Sequence, residues 1–265
     1  MPRLGPTAAT AVLATAAALS SACDSGSPTT DPQLNFNVAT RSTAATAAGA
    51  SLSVSAPETF TDGANTLVID RVDLVLREIE LRRSTASADC AESQTEDSCE
   101  KLEIGPVLLS LPVGVGGATR AFSVTITPGS YDKVEFEIHK PSSSDDAAFV
   151  QAHPELDGVS VHVTGSYNGQ PFDFRSDLDA EEELALTPPL VVTDSGATDL
   201  TMFVDLDGWF RDAGGSLIDP TTAASGHENE DTVKQNIQRA LNAFEDEDRD
   251  GEDDHGGADD GPNHT

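Results

Sequence analysis

The residues with the clearest spacing for chemistry lie near the end of the chain. Asp246, Asp248, Asp250 and Gly251 form the DxDxDG pattern that opens a calcium-binding loop. Calcium takes oxygen ligands, which alternate Asp side chains present well, and Gly allows the sharp turn. The twelfth position of the pattern, however, is Gly257 instead of the bidentate Glu that such a loop requires. The sequence therefore leaves two interpretations, a Ca²⁺ site and a solvated acidic tail with no bound cofactor.

A second chemical feature is a cysteine at the end of an export signal. Arg3 precedes an apolar, Ala-rich run over 7–19, and Ser20-Ser21-Ala22 leads into Cys23. The run is typical of a secretory leader and is too short for a bilayer-spanning helix. Cys23 stands where bacterial lipoproteins carry their acylated cysteine, although Ser20 occupies the usual position of Leu. We predict a lipoprotein signal peptide over 1–22 and lipidation of Cys23, with ordinary cleavage after Ala22 as the alternative.

The remaining cysteines, Cys90 and Cys99, enclose the polar segment AESQTEDS. Exported proteins meet an oxidising environment, in which two cysteines are expected to pair. No second cysteine pair and no nearby His completes a zinc site. The sequence therefore predicts a Cys90–Cys99 disulfide that pins a loop.

Other polar residues offer weaker candidates for a site. Asp205, Asp207 and Trp209 in DLDGWF could bind a cation or a carbohydrate, or they could form a structural turn over a buried Trp. His139 and His162 fall on the polar parity of their strands, which predicts exposed side chains. The sequence lacks HExxH, GxSxG and P-loop motifs, so we predict that the protein is not an enzyme. A hydrolase of envelope polysaccharide with paired carboxylates remains the less favoured alternative.

Charge excludes two classes of partner. The chain has 46 acidic and 15 basic residues, for a formal net charge of -31. A nucleic-acid-binding protein needs Lys and Arg to neutralise phosphates, so nucleic acid is not a predicted partner. Direct docking on anionic lipid is disfavoured for the same reason.

The secondary-structure elements that position these residues are predicted to be mostly strands. In the segment 66–82, Val72, Leu74 and Leu76 alternate with other residues, and a change of parity near Arg77-Glu78 indicates a β-bulge. A helix over the same segment is the competing interpretation, because Leu, Arg and Glu favour helices. We favour the strand.

Two turns and two further strands complete the pattern. Alternation over 122–139 around Pro128-Gly129 predicts a β-hairpin, and Asn168-Gly169 predicts a type I′ hairpin turn. The segment 199–206 alternates, and 183–192, which contains two Pro residues, is predicted to lie at a sheet edge. Many short strands with regular turns predict an all-β fold, an antiparallel β-sandwich of immunoglobulin- or transthyretin-like type.

The predicted domain organisation follows from composition. The segment 23–50 is rich in Ser, Thr, Ala and Gly and is predicted to be a disordered tether, ahead of a β-sandwich over 51–229. One helix over 230–244 is expected to pack on this domain, because Val233, Ile237, Leu241 and Phe244 recur at helical spacing. The acidic segment 245–265 has little to bury and is predicted to be a disordered tail.

Three pieces of the chain together resemble a domain family of unknown function found in bacterial and archaeal lipoproteins. They are Cys23, the segment VIDRVDLVLREIEL (68–81) and the segment ITPGSYDKVEFEI (126–138), which resembles the family's Pro-, Gly- and Tyr-containing entry into a valine-rich strand. The resemblance implies a β-sandwich located in the cell envelope and brings no catalytic residues.

The sequence thus predicts a non-catalytic envelope protein, exported and attached to a bacterial membrane through its lipid, with a binding or structural β-sandwich. Its predicted partners are the membrane, reached through the anchor, and a cell-surface protein or polysaccharide. A calcium-dependent binding module that uses the DxDxDG segment is the alternative function.

Overall fold

The computed structural model describes residues 31–40, 57–83, 104–114 and 116–246. Cys23, Cys90, Cys99, Asp248 and Asp250 lie outside these ranges, so the lipidation, the disulfide and most of the calcium loop stay predictions. In the described ranges, neither helix has the length and apolar character that crossing a bilayer requires.

Most of the described chain is β-structure, as the alternating patterns predict. The strands are β1 Gln33–Thr40, β2 Glu58–Thr61, β3 Thr66–Arg83, β4 Val107–Ser110, β5 Thr119–Thr125, β6 Gly129–Ile138, β7 Val161–Tyr167, β8 Gln170–Ser176, β9 Ala180–Val192, β10 Ala197–Val204 and β11 Leu241–Glu245. The helices are α1 Ala147–Ala152 and α2 Glu230–Arg239, with short 3-10 turns at 154–156, 206–208 and 220–222.

The strands form two sheets packed face to face, which confirms the predicted β-sandwich. The small sheet has the order β11-β10-β1-β5. The large sheet has the order β8-β7-β3-β6-β9, and β2 and β4 also pair with β3. The pairing is antiparallel except between β1 and β10, which run parallel.

The long strand β3 organises the large sheet. Its first half pairs with β2 and β7, and its second half pairs with β4 and β6. Val72, Leu74 and Leu76 are fully buried, as their alternation predicts. The register shifts between Arg77 and Glu80, and Glu78 has a positive φ of 51°, so the predicted β-bulge is confirmed. The β3–β6 pairing continues on both sides of the bulge, so Arg77 and Glu80 both lie beside β6.

The predicted hairpin at Pro128-Gly129 is wrong. The strand before this turn, β5, pairs with β1 in the small sheet, whereas the strand after it, β6, pairs with β3 and β9 in the large sheet. The turn therefore carries the chain across the sandwich. Alternation predicted correctly that both strands have an apolar face, but the two faces meet across the interior instead of lying side by side.

The predicted boundaries of the tether and of the domain are also wrong in part. Residues 33–40, assigned to the tether, form β1, an inner strand of the small sheet, so the fold begins before residue 51. Leu34, Phe36 and Val38 of β1 face the core. Three alternating apolar residues in a polar, Ser/Thr-rich segment are only a weak indication of a strand. In the fold, β1 lies between β10 and β5, so its backbone is hydrogen-bonded on both sides.

The predicted helix is shorter than expected. Helix α2 ends at Arg239, and the segment after it forms the edge strand β11, which pairs with β10. Val233 and Ile237 are buried from the helix, whereas Leu241 and Phe244 are buried from the strand. The apolar spacing suits both conformations, and the open edge of β10 decides between them because it offers backbone hydrogen bonds. The short helix α1 was not predicted.

Candidate metal centre

The outward face of the large sheet carries an acidic surface where β3, β6 and β9 lie side by side. Along β6, Val134, Phe136 and Ile138 point to the core, so Glu135 and Glu137 point outward. The antiparallel register places Glu183 opposite Glu135 and Glu181 opposite Glu137 on β9. From the other side, β3 places Glu80 opposite Glu135 and Arg77 opposite Glu137.

These side chains line an open pocket with a volume of about 470 Å³. We call it the acidic pocket; its lining residues are Glu78, Glu80, Arg82, Glu135, Phe136, Glu137, Glu181, Glu182 and Glu183. Like charges directly across a sheet destabilise it, so such a concentration of carboxylates needs protons, basic side chains or cations.

In the middle of the pocket, basic side chains and shifted pKa values reduce the repulsion between carboxylates. Burial, followed by a hydrogen bond with Glu183, raises the pKa of Glu135. Arg82 Nε lies 2.8 Å from Glu135 Oε2, and Lys133 Nζ lies 2.8 Å from Glu183 Oε1. The Lys133 and Glu135 hydrogen bonds in turn lower the pKa of Glu183. Glu135 is therefore the weaker acid of the Glu135–Glu183 pair, and Arg82 and Lys133 compensate the charge of the two side chains.

Beyond Glu137, which lines the pocket, the chain continues to a buried histidine, His139. His139 continues the outward face of β6, and the prediction that it is exposed is wrong: only 5% of the residue is accessible. The chain after Pro141 turns back over the sheet, and Asp146 Oδ2 lies 2.7 Å from His139 Nε2. Polar parity predicts which face a strand residue takes, but not whether a loop covers that face. His162, on β7, is partly buried and bonds to Asp173.

Two carboxylates lie close to His139. Glu137 is its neighbour two residues back along β6, and Asp179 directly precedes Ala180 of β9, which pairs with Ile138. One ligand atom from each of the three side chains lies within 4.8 Å of the others. We call Glu137, His139 and Asp179 the carboxylate–histidine group.

One nitrogen of this group, His139 Nδ1, lacks a hydrogen bond among the described residues, although it is buried. The nearest carboxylate oxygen, Glu137 Oε1, is 3.5 Å away. The pKa of Glu137 is raised, first by burial and then by a hydrogen bond with Asp179, although its ion pair with Arg77, at 2.6 Å from Nη2 to Oε2, acts in the opposite direction.

Asp246, the one residue of the predicted calcium loop that the structure describes, lies away from this group. Asp246 is fully buried on the small sheet, where its Oδ2 accepts a hydrogen bond of 2.9 Å from Thr201 Oγ1. This places the first residue of the DxDxDG pattern inside the fold instead of in a tail. In DLDGWF the structural interpretation is supported, since Trp209 is fully buried and the Asp205 side chain accepts from the Asp207 backbone.

The carboxylate–histidine group was missed by reasoning from the sequence. Glu137 and His139 offer the signal ExH on one face of a strand, which is common and weak. Asp179 is distant in sequence and reaches the other two only through the β6–β9 pairing. A search for polar residues two apart on an outward strand face would have found the first half of the site.

Comparisons with known proteins add little to this geometry. No protein-family model matches the chain, and no curated protein matches it. Among solved structures, the chain is similar to MbnP from Methylosinus trichosporium, with 9% identity and a TM-score of 0.39 over 82% of this chain and 99% of that one.

Proposed function

We propose that this protein is a non-catalytic, lipid-anchored protein of the bacterial cell envelope whose β-sandwich binds a divalent metal cation at Glu137, His139 and Asp179. The observation that carries the proposal is the buried, unpartnered Nδ1 of His139 next to two carboxylates within the described structure. A buried polar atom without a partner costs free energy, which a ligand in contact with it would recover.

The donor atoms suit a metal. Metal–oxygen and metal–nitrogen bonds to zinc-like cations are about 2.0–2.2 Å long, so ligand atoms within 4.8 Å of one another need only small side-chain rotations to share an ion. Both side chains would bind the ion as carboxylates, so any proton on Glu137, whose pKa is raised, would leave when the ion binds. Arg77 would hold the second oxygen of Glu137 and keep that side chain in place.

Polysaccharide hydrolysis is less well supported. A glycosidase needs its two carboxyl groups about 5 Å or more apart, so that the sugar fits between them. In the acidic pocket, Glu135 and Glu183 are paired directly across β6 and β9, and each influences the pKa of the other. Each is also held by a basic side chain, Arg82 or Lys133.

Isothermal titration of the full chain with Zn²⁺ tests the proposed site. Asp179→Asn should abolish the tightest binding step, because it removes one of three protein ligands. The matched control is Glu181→Gln, which removes the same charge two residues further along the chain but leaves the three ligands intact. Equal losses in both variants would show diffuse attraction to the acidic pocket and would refute the site.

The anchor is tested separately. Palmitate labelling of cells that express the protein should give a labelled band, and Cys23→Ala should remove it. An unlabelled wild-type protein would exclude the lipid anchor, without bearing on the metal site.

A further inference from the structure

The contact between Asp146 and His139 suggests which metal the site takes and how the chain selects it. His139 Nε2 and Asp146 Oδ2 are 2.7 Å apart, and both side chains are only 6% exposed. A carboxylate only accepts hydrogen bonds, so Nε2 carries a proton in this contact, and in the neutral imidazole the lone pair then lies on Nδ1. That lone pair is on the side of Glu137.

Asp146 is itself held in place. Its Oδ2 accepts a second hydrogen bond of 3.1 Å from the Ser142 backbone N–H, and its own backbone N–H donates to Ser142 O at 2.7 Å. The turn from Ser142 to Asp146 thus fixes the carboxylate before helix α1 begins. The arrangement matches the carboxylate–histidine–metal chains in which an outer carboxylate sets the tautomer and orientation of a metal ligand.

We propose, on the basis of the proposed metal-binding function, that Asp146 is a positioning residue that makes the site selective for a divalent transition cation such as Zn²⁺ over Ca²⁺ and Mg²⁺. Imidazole nitrogen is a good ligand for transition cations, whereas Ca²⁺ and Mg²⁺ take oxygen ligands. With Nδ1 held toward Glu137 and Asp179, the site offers one nitrogen and two carboxylates, and further positions remain for water. A rotated imidazole would present an N–H instead and would repel a cation.

The first test is competition in the full chain. Zn²⁺ should remain bound in an approximately tenfold excess of Ca²⁺, and Asp146→Asn should weaken Zn²⁺ binding by about 10–100-fold, as loss of an outer carboxylate does elsewhere. The matched control is Asp145→Asn, which removes the same charge from the neighbouring, exposed carboxylate that bonds to Ser142 and Ser144. Equal effects of the two variants, or Ca²⁺ binding as tight as Zn²⁺ binding, would overturn the inference.

The second test reads the tautomer without any metal. Long-range ¹H–¹⁵N NMR distinguishes protonated from unprotonated ring nitrogens, and His139→Gln identifies the signal of His139. The metal-free protein should show a proton on Nε2 and none on Nδ1, and Zn²⁺ should shift Nδ1. A proton on Nδ1 would overturn the inference even if Zn²⁺ binds. If no cation binds at Asp179, the inference and the proposed function fail together, whereas unselective binding there removes the inference alone.

Discussion

Gly165 provides a sharp test of how the large sheet is built. It lies in β7, opposite Ile69 of β3, where the register between the two strands shifts. A Cβ atom added to Gly165 would lie 1.9 Å from the carbonyl oxygen of Val68 and 3.1 Å from Phe172 Cζ. Cβ atoms essentially never approach another heavy atom closer than 3.0 Å, so even this minimum distance to the oxygen requires a displacement of about 1.1 Å.

Strand pairing on both sides of β3 prevents the backbone at Val68 from moving away. Val68 pairs with Thr59 of β2 and with Ser166 of β7, so its peptide is held from both sides of β3. Overpacking a rigid interior costs about 1–3 kcal/mol and sometimes more. Because the clash here involves backbone and would also weaken strand pairing, we expect Gly165→Ala to lower the free energy of unfolding by about 3 kcal/mol or more.

Urea unfolding followed by Trp fluorescence measures this change, because Trp209 is the single Trp of the chain and is fully buried. The control is Gly208→Ala, where an added Cβ meets no atom within 4 Å; its effect should stay within about 0.5 kcal/mol. A Gly165→Ala protein as stable as the control would refute the close approach of β7 to β3.

Two further predictions concern the acidic pocket and helix α2. The pKa of Glu135 is raised from 4.5, so the folded state keeps a proton that the unfolded state loses, and the free energy of unfolding falls as the pH rises above that value. Glu135→Gln lacks this titration, so its free energy of unfolding relative to that of the wild type should rise by about 0.2–1 kcal/mol from about pH 4 to about pH 7. A difference in urea unfolding that does not change with pH would contradict this. Ile237→Ala should lower the free energy of unfolding by about 2–5 kcal/mol, because Ile237 is fully buried. The control is Thr232→Ala at an exposed position of the same helix. Thermal unfolding at similar melting temperatures for both variants would show that α2 does not pack on the core.

Local features of the fold were predictable wherever short-range physics decides them. Asn168 and Gly169 have φ values of 51° and 76°, so the type I′ turn was predicted from residues that tolerate this conformation. The edge position of β9 follows from Pro188 and Pro189, which cannot donate to a sheet. Burial of Leu200, Met202 and Val204 follows from alternation alone.

The candidate site could not be predicted in the same way. Its ligands come from β6 and from the residue before β9, and its outer carboxylate comes from a loop whose return path has no local signature. Polar parity placed His139 on the outward face correctly, yet the prediction of exposure failed because Asp146 covers that face. The DxDxDG spacing predicts a calcium ligand at Asp246, whose side chain accepts a hydrogen bond from Thr201 of the small sheet.

By itself the sequence determined which side chains turn inward and where the backbone can reverse, because period-two alternation and positive-φ residues act within a few positions of the chain. Only the tertiary structure decided which strands are neighbours: that β1 joins the small sheet, that β5 and β6 belong to different sheets, and that Asp179 lies close to His139. Strand pairing depends on backbone hydrogen bonds, which are chemically alike at every residue. The choice of partner therefore rests on the packing of the whole sandwich.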